Sequence, residues 1–221
     1  MTSNLKILIA DDNRDHVQLM GEIIKQELGA EIDSATTGEE CLKKVDKNSY
    51  DLLLLDYLFP KISGFDILKT ITEKQCDLPV IMVTGHGNEK IAMEAMRAGA
   101  IDYIVKSEDR FGALPSATKK AIEKSQLKNR LRESEEKFKN LFESANDAII
   151  YLDRSGRILE VNKKAVEMFG RSKQEVSGKH FTRLGIFSPR DMLMLMGNFS
   201  NILAGKETSL NVCIKNKEGQ R

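Results

Sequence analysis

Five side chains in this sequence could do chemistry together. Asp11 and Asp12 follow an apolar run, Asp56 and Thr84 each close one, and Lys106 comes directly after another. Three carboxylates brought to one place repel each other where the dielectric is lowered, so they need a cation between them. Oxygen-only ligands select Mg²⁺ over softer metals. Taken singly, each residue has an ordinary reading: an aspartate at a strand-to-helix turn caps the helix, Thr84 ends a strand, and Lys106 is a solvated side chain. The coincidence of all of them at run ends argues for a set.

The runs themselves are LKILIA ending at Ala10, EIDSA from Glu31, LLLLD ending at Asp56, VIMVT ending at Thr84 and DYIV ending at Val105. Between them lie apolar residues at helical spacing, such as Val17, Met20, Ile23, Ile24 and Leu28, then Ile91, Ala95 and Ala98. Strand alternating with helix predicts an α/β fold, a doubly wound parallel sheet of five strands with helices on both faces. Continuous apolar character makes LKILIA, LLLLD and VIMVT central, whereas the mixed EIDSA is an edge. Open sheets of this kind carry their sites beyond the carboxyl ends of the strands, where the five residues fall.

Residues 4 to about 124 resemble the receiver domain of two-component response regulators, the flavodoxin/CheY-like fold. The likeness rests on IADDN, on LLLLDYLFPKISGFDIL around Asp56, on VTGHG with Thr84 and on GAIDYIVK with Lys106. It implies that Asp56 accepts a phosphoryl group from a phosphohistidine. It further implies that Asp12, Asp56 and the backbone carbonyl of Leu58 ligate Mg²⁺, with Asp11 acting through water. Lys106 would neutralise charge, Thr84 would turn inward onto a phosphoryl oxygen, and Tyr103 would move in behind it as the aromatic switch. Pro60 and Gly64 would form the turn after Asp56. Two features depart from the family pattern. Ser107 stands where a proline usually follows the lysine, which puts the geometry of that loop in question. Leu58, two residues past Asp56, cannot orient an attacking water, and His86 lies two past Thr84; slow self-hydrolysis of the phosphoryl-aspartate is expected.

With 221 residues the chain has room for two units. Hydrophobic residues at 41% and charged ones at 30% argue against disorder. No run is long enough for a membrane helix or a secretion signal, so a cytoplasmic location is expected. Cys41, Cys76 and Cys213 lack metal or disulfide spacing and read as reduced packing residues. The net charge of +1 hides a split: residues 1–125 carry 16 Lys and Arg against 21 Asp and Glu, and the rest carry 18 against 12. The basic residues are interspersed with Glu rather than massed, which disfavours nucleic acid as a partner.

From Ala117 to about Glu143 the sequence has neither proline nor glycine, and Leu127, Leu131, Ser134, Phe138 and Leu141 form a narrow seam. A continuous helix is predicted, with Pro115 in its first turn; the seam suits either a solvated helix or a parallel dimer. DAIIYLD, a turn at Arg154-Ser155-Gly156 and RILEVN predict a hairpin. Asn162 caps a helix ending at Gly170, Ser172 and Glu175 form a capping box, a helix runs from Pro189 toward Gly205, and ETSLNVCIK is a last strand. From FKNLFESANDAIIYLDRSGRILEVNKKAVEMFG onward this resembles an α+β PAS domain, short of its final two strands. Neither haem nor flavin is indicated, and His180 in GKHFTRL is a weak candidate ligand. Met192, Met194 and Met196 do not share a helical face.

The sequence thus divides into a receiver (1–125), a helical connector (117–143) and a truncated PAS-like domain (138–221). The expected function is a non-enzymatic phosphoacceptor module, with a histidine kinase or phosphotransfer protein as donor and a homodimer through the connector helix and PAS domain as a further partnership. The alternative is the N-terminal part of a hybrid histidine kinase whose catalytic domains lie beyond Arg221.

Overall fold

A computed structural model describes residues 5–74, 76–85, 89–106, 111–207 and 209–213, with the side chains of 200 and 202 excepted. The chain forms two compact units, Met1–Leu131 and Arg132–Arg221.

In the first unit, strands β1 (Lys6–Ala10), β2 (Glu31–Ala35), β3 (Leu52–Asp56), β4 (Val80–Thr84) and β5 (Asp102–Val105) make one parallel sheet in the order β2-β1-β3-β4-β5. EIDSA is an edge, as its mixed composition predicts. Helices α1 (Arg14–Leu28), α2 (Gly38–Lys47), α3 (Gly64–Glu73) and α4 (Glu89–Arg97) alternate with the strands, and α5 (Leu114–Ser144) follows β5. The pleat sends successive side chains to opposite faces. Ile7, Ile9, Leu52, Leu54, Ile81 and Val83 pack with Met20 and Ile24 of α1 and with Leu114, Ala121 and Ile122 of α5. Leu8, Ala10, Leu53, Leu55, Val80 and Met82 pack instead with Cys41 of α2, Ile67, Leu68 and Ile71 of α3, and Ala95 of α4. A sheet covered on both faces explains why β3 and β4 are buried at every residue.

The starts of α1, α2 and α3 are each fixed by a short polar side chain. Asn13 caps α1, accepting from the amides of Asp15 and His16; Thr37 caps α2 and Ser63 caps α3. The cap of α1 is therefore neither Asp11 nor Asp12. Gly64 opens α3 for a steric reason, since a Cβ there would stand 1.9 Å from the carbonyl oxygen of Asp56. Cys41 is buried, which pushes its thiol up to about 12.

The connector is one unbroken helix of 31 residues, α5, with Pro115 at its second position. In the second unit, β6 (Ile150–Leu152) and β7 (Ile158–Val161) form an antiparallel hairpin. Its turn is held by the Asp153 carboxylate, which accepts from the amides of Ser155 and Arg157, and Gly156 takes a φ of 81°. Then come α6 (Lys163–Phe169), α7 (Lys173–Val176), a 3-10 turn at Phe181–Arg183 and α8 (Pro189–Leu203). Asn162 caps α6, and Ser172 and Glu175 make the full capping box. Ile158, Val161, Ala165, Phe169, Val176, Leu184 and Ile186 form the core. The last strand is a correction. Residues 209–213 of ETSLNVCIK are not in a strand, and Thr208 and residues 214–221, with the turn at Gly219, lie outside the described residues. A β-propensity run becomes a strand only when a neighbour takes its backbone hydrogen bonds.

Candidate functional site

The strand order reverses between β1 and β3, so their carboxyl ends open a crevice between the helices that follow them. β1 leads into Asp11 and Asp12, β3 ends in Asp56, β4 in Thr84, and Lys106 follows β5. Asp11, Asp56 and Thr84 are buried. One carboxylate oxygen from each of Asp11, Asp12 and Asp56 lies within 4.8 Å of the other two. Lys106 reaches back across the sheet, its Nζ 2.6 Å from Asp11 Oδ2 and 2.9 Å from Asp56 Oδ2, with its side chain only 7% exposed.

The two buried carboxylates are held differently. Asp11 Oδ1 accepts from the Asn13 amide at 3.0 Å. Its Oδ2 meets Lys106 as an ion pair without hydrogen-bond alignment and is otherwise a buried oxygen lacking a hydrogen-bond partner. Burial pushes the Asp56 carboxyl above the usual aspartate range. Lys106 pulls against that rise through its hydrogen bond and charge, Asp11 adds to it by like-charge repulsion, and the Leu58 amide lowers it. One ammonium thus serves two buried anions while Asp12 is exposed beside them. This donor set fits a hard divalent cation: the ligands are all oxygen, and one of them has hydrogen-bonding capacity to spare.

Tyr103 is half-buried and packs on the core layer that faces α2, α3 and α4. Leu58 is exposed. His86 and Ser107 lie outside the described residues. A residue that the sequence reading missed also enters the site. His16, in the first turns of α1, places Nδ1 3.3 Å from Lys106 Nζ and 3.6 Å from Asp11 Oδ2. Its signal was present in the sequence: His16 continues the i, i+4 row of Met20 and Ile24 toward the acidic pair.

Residues 7–115 match the response regulator receiver domain. A solved response regulator receiver domain protein from Clostridium thermocellum superposes with a TM-score of 0.51 at 33% identity, over 56% of this chain and 98% of that one. The chain belongs to the response regulator receiver family. Its residues 136–209 match the PAS fold, so a PAS region follows the receiver. Among curated relatives, the transcriptional regulatory protein CpxR of Escherichia coli is 40% identical over 46% of this chain and 42% of its own length. The response regulator protein TodT of Pseudomonas putida is 27% identical over 61% of this chain and 60% of its own. This chain spans less than two thirds of the length of these curated relatives. The two domains place it in two-component signal transduction. The acidic cluster is the type of pocket through which receiver domains bind Mg²⁺.

Among the described residues of the PAS region there is no comparable cluster of metal-ligating side chains. His180 is occupied structurally: its Nδ1 lies 2.7 Å from Thr182 Oγ1 and accepts from the Thr182 amide, and the ring stacks on Phe181. Of the three methionines, Met192 is half-buried, and Met194 and Met196 are exposed. No helix among the described residues is long and apolar enough to cross a membrane.

Proposed function

We propose that this chain is a phosphoacceptor module that takes a phosphoryl group from a histidine kinase or a phosphotransfer protein. The observation that carries the reading is the pairing of one lysine with two buried carboxylates beside an exposed third. An Asp56 oxygen forms the new bond to phosphorus while the P–N bond of the donor breaks, its electron pair staying on the departing imidazole. Lys106 faces the charge carried by the transferring group, in a site where water is largely excluded. Asp11, Asp12, Asp56 and the Leu58 carbonyl would hold Mg²⁺, whose contribution is neutralisation of phosphoryl charge. Thr84, at the end of β4, closes onto a phosphoryl oxygen, and Tyr103 follows it inward, altering the face of β4, β5 and their helices. The chain has no chemistry of its own beyond this acceptor step, and it works in the cytoplasm.

The change passes along α5 to the PAS region. The seam of α5 favours a second copy of this chain as its occupant. Leu127, Leu131, Phe138 and Leu141 are each more than 60% exposed in the isolated chain. In a parallel, in-register pair with Leu131 and Phe138 at position a, the flanking positions bring Glu123 opposite Lys128 and Arg130 opposite Glu135, all exposed and opposite in charge. Antiparallel pairing would break both of these pairs, since it sets position g against g and e against e.

Labelling by a phosphohistidine donor tests the acceptor step, with wild type marked in the presence of Mg²⁺ and Asp56→Asn left unmarked. Equal labelling of both proteins would rule the assignment out. Sedimentation tests the pair: wild type should be dimeric, Arg130→Glu weakened, and Arg130→Glu with Glu135→Arg restored.

A further inference from the structure

We infer that His16 is a positioning residue for Lys106, a neutral acceptor that orients the ammonium without cancelling its charge. The inference rests on Asp56 being the phosphoacceptor and Lys106 its charge partner. An ammonium has three N–H donors and no acceptor. Around Lys106 Nζ the structure places Asp56 Oδ2 at 2.9 Å, Asp11 Oδ2 at 2.6 Å in an ion pair without hydrogen-bond alignment, and His16 Nδ1 at 3.3 Å. Lys106 can only donate and stands nearer to Nδ1 than Asp11 Oδ2 does, at 3.3 against 3.6 Å, so we place the lone pair on Nδ1 and the ring proton on Nε2.

The backbone that carries the ring is fixed. The Asn13 side chain accepts from the backbone amides of Asp15 and His16, which sets where α1 begins. Met20 and Ile24, one and two turns on, are anchored in the core on the same row. His16 therefore presents its ring over the end of the sheet.

Charge gives the contact its purpose. Both carboxylates neutralise the lysine they hold, and a cation bound among them competes for the same oxygens. His16 does neither. It holds the head group at one end of its range and leaves the full positive charge available to a phosphoryl oxygen arriving on Asp56, the condition under which a fixed ammonium contributes most. A third carboxylate at this place would orient Lys106 equally well and spoil it as an electrostatic partner. Side-chain identity at position 16 therefore separates two properties, orientation and charge.

The test uses the full chain and a small phosphodonor, acetyl phosphate, so that docking of a donor protein plays no part. His16→Leu should lower the phosphorylation rate at saturating donor about fivefold or more, with the half-saturating concentration unchanged. His16→Gln, which keeps a neutral acceptor, should recover much of it, and His16→Glu should be slower than His16→Gln. In a Lys106→Ala background, His16→Leu should change nothing further. The metal-free protein gives a second readout: imidazole ¹⁵N shifts should report Nδ1 as the bare nitrogen, a preference that relaxes in Lys106→Ala. A His16→Leu effect of equal size with and without Lys106, or Gln and Glu variants of equal rate, would overturn the inference. If Asp56→Asn is still labelled, the acceptor assignment itself fails; if that labelling is lost while position 16 shows no coupling to Lys106, only the role of His16 fails.

Discussion

Asp56 and Asn162 are both buried polar side chains at the carboxyl end of a strand, Asp56 closing β3 and Asn162 following β7. They differ in what is left over once their neighbours are counted. Asn162 spends its whole amide: Nδ2 donates to the carbonyls of Phe142 and Asp147, and Oδ1 accepts from the amides of Ile149 and Ala165, all at 2.9–3.0 Å. It ties the end of α5, the loop after it, the hairpin and α6 together. Asp56 shares one lysine with Asp11, is repelled by that second anion, and has its ionisation opposed by burial. Filled hydrogen-bonding capacity marks a structural joint, whereas an unbalanced cluster of charge marks a place where something else binds. The same distinction separates His180, whose Nδ1 is taken up by Thr182, from His16, which faces the site.

The contrast can be broken most sharply at Asp56 itself. Asp56→Asn keeps shape and removes the nucleophile, so phosphoryl labelling should vanish while the thermal melt stays cooperative. Asn162→Ala should do the reverse. It strands two amides and two carbonyls in a buried place, for about 3–4 kcal/mol, and should loosen the PAS region in hydrogen exchange while leaving phosphoryl uptake by the receiver intact. A receiver that lost labelling in Asn162→Ala would erase the distinction drawn between the two residues.

Two glycines refine the comparison. Gly64→Ala should destabilise the receiver by about 3 kcal/mol, because its Cβ would strike the Asp56 carbonyl, and chemical denaturation should show it. Gly178 has a φ of 74° and nothing within 4 Å of an added Cβ, so Gly178→Ala should cost the PAS region only the backbone penalty, about 1 kcal/mol. The smallest effect concerns an ion cluster at the edge of the receiver sheet. Burial would raise the Asp33 carboxyl, but Lys44, the Tyr50 hydroxyl and the Ser34 amide together hold it below its usual range. A depressed carboxylate stabilises the fold above its unfolded pKa, and that stability is lost as pH falls through the folded value. Lys44→Met should therefore lower the melting temperature slightly near neutrality and converge with wild type in acid. Equal differences at both pH values would remove the cluster from the account.

Much of this was legible because the signals are local. Continuous apolar runs identified the central strands, and the mixed EIDSA identified the edge. Caps at Asn162 and Ser172 depend on residues three positions apart and appear as read. The five site residues could be placed at strand ends because the alternation of strand and helix puts those ends on one side of the sheet. The seam of α5 was equally visible, as a helical period is written in the spacing alone.

Other features are set by approaches between residues remote in sequence. His16 meets Lys106 across 90 positions, and Asn162 reaches Phe142 across 20. Gly64 reads as an ordinary turn glycine until the Asp56 carbonyl is seen beneath it. The helix cap falls on Asn13, although either aspartate before it could have served. ETSLNVCIK carries strand propensity, yet its described part is no strand, because a strand exists only through a neighbour's hydrogen bonds. The sequence alone determined the five receiver strands, the helices between them and which charges lie at their ends, since these follow from spacing along the chain. The tertiary structure alone decided which of those groups are satisfied and which remain in electrostatic conflict, since that depends on what the folded chain places within hydrogen-bonding distance.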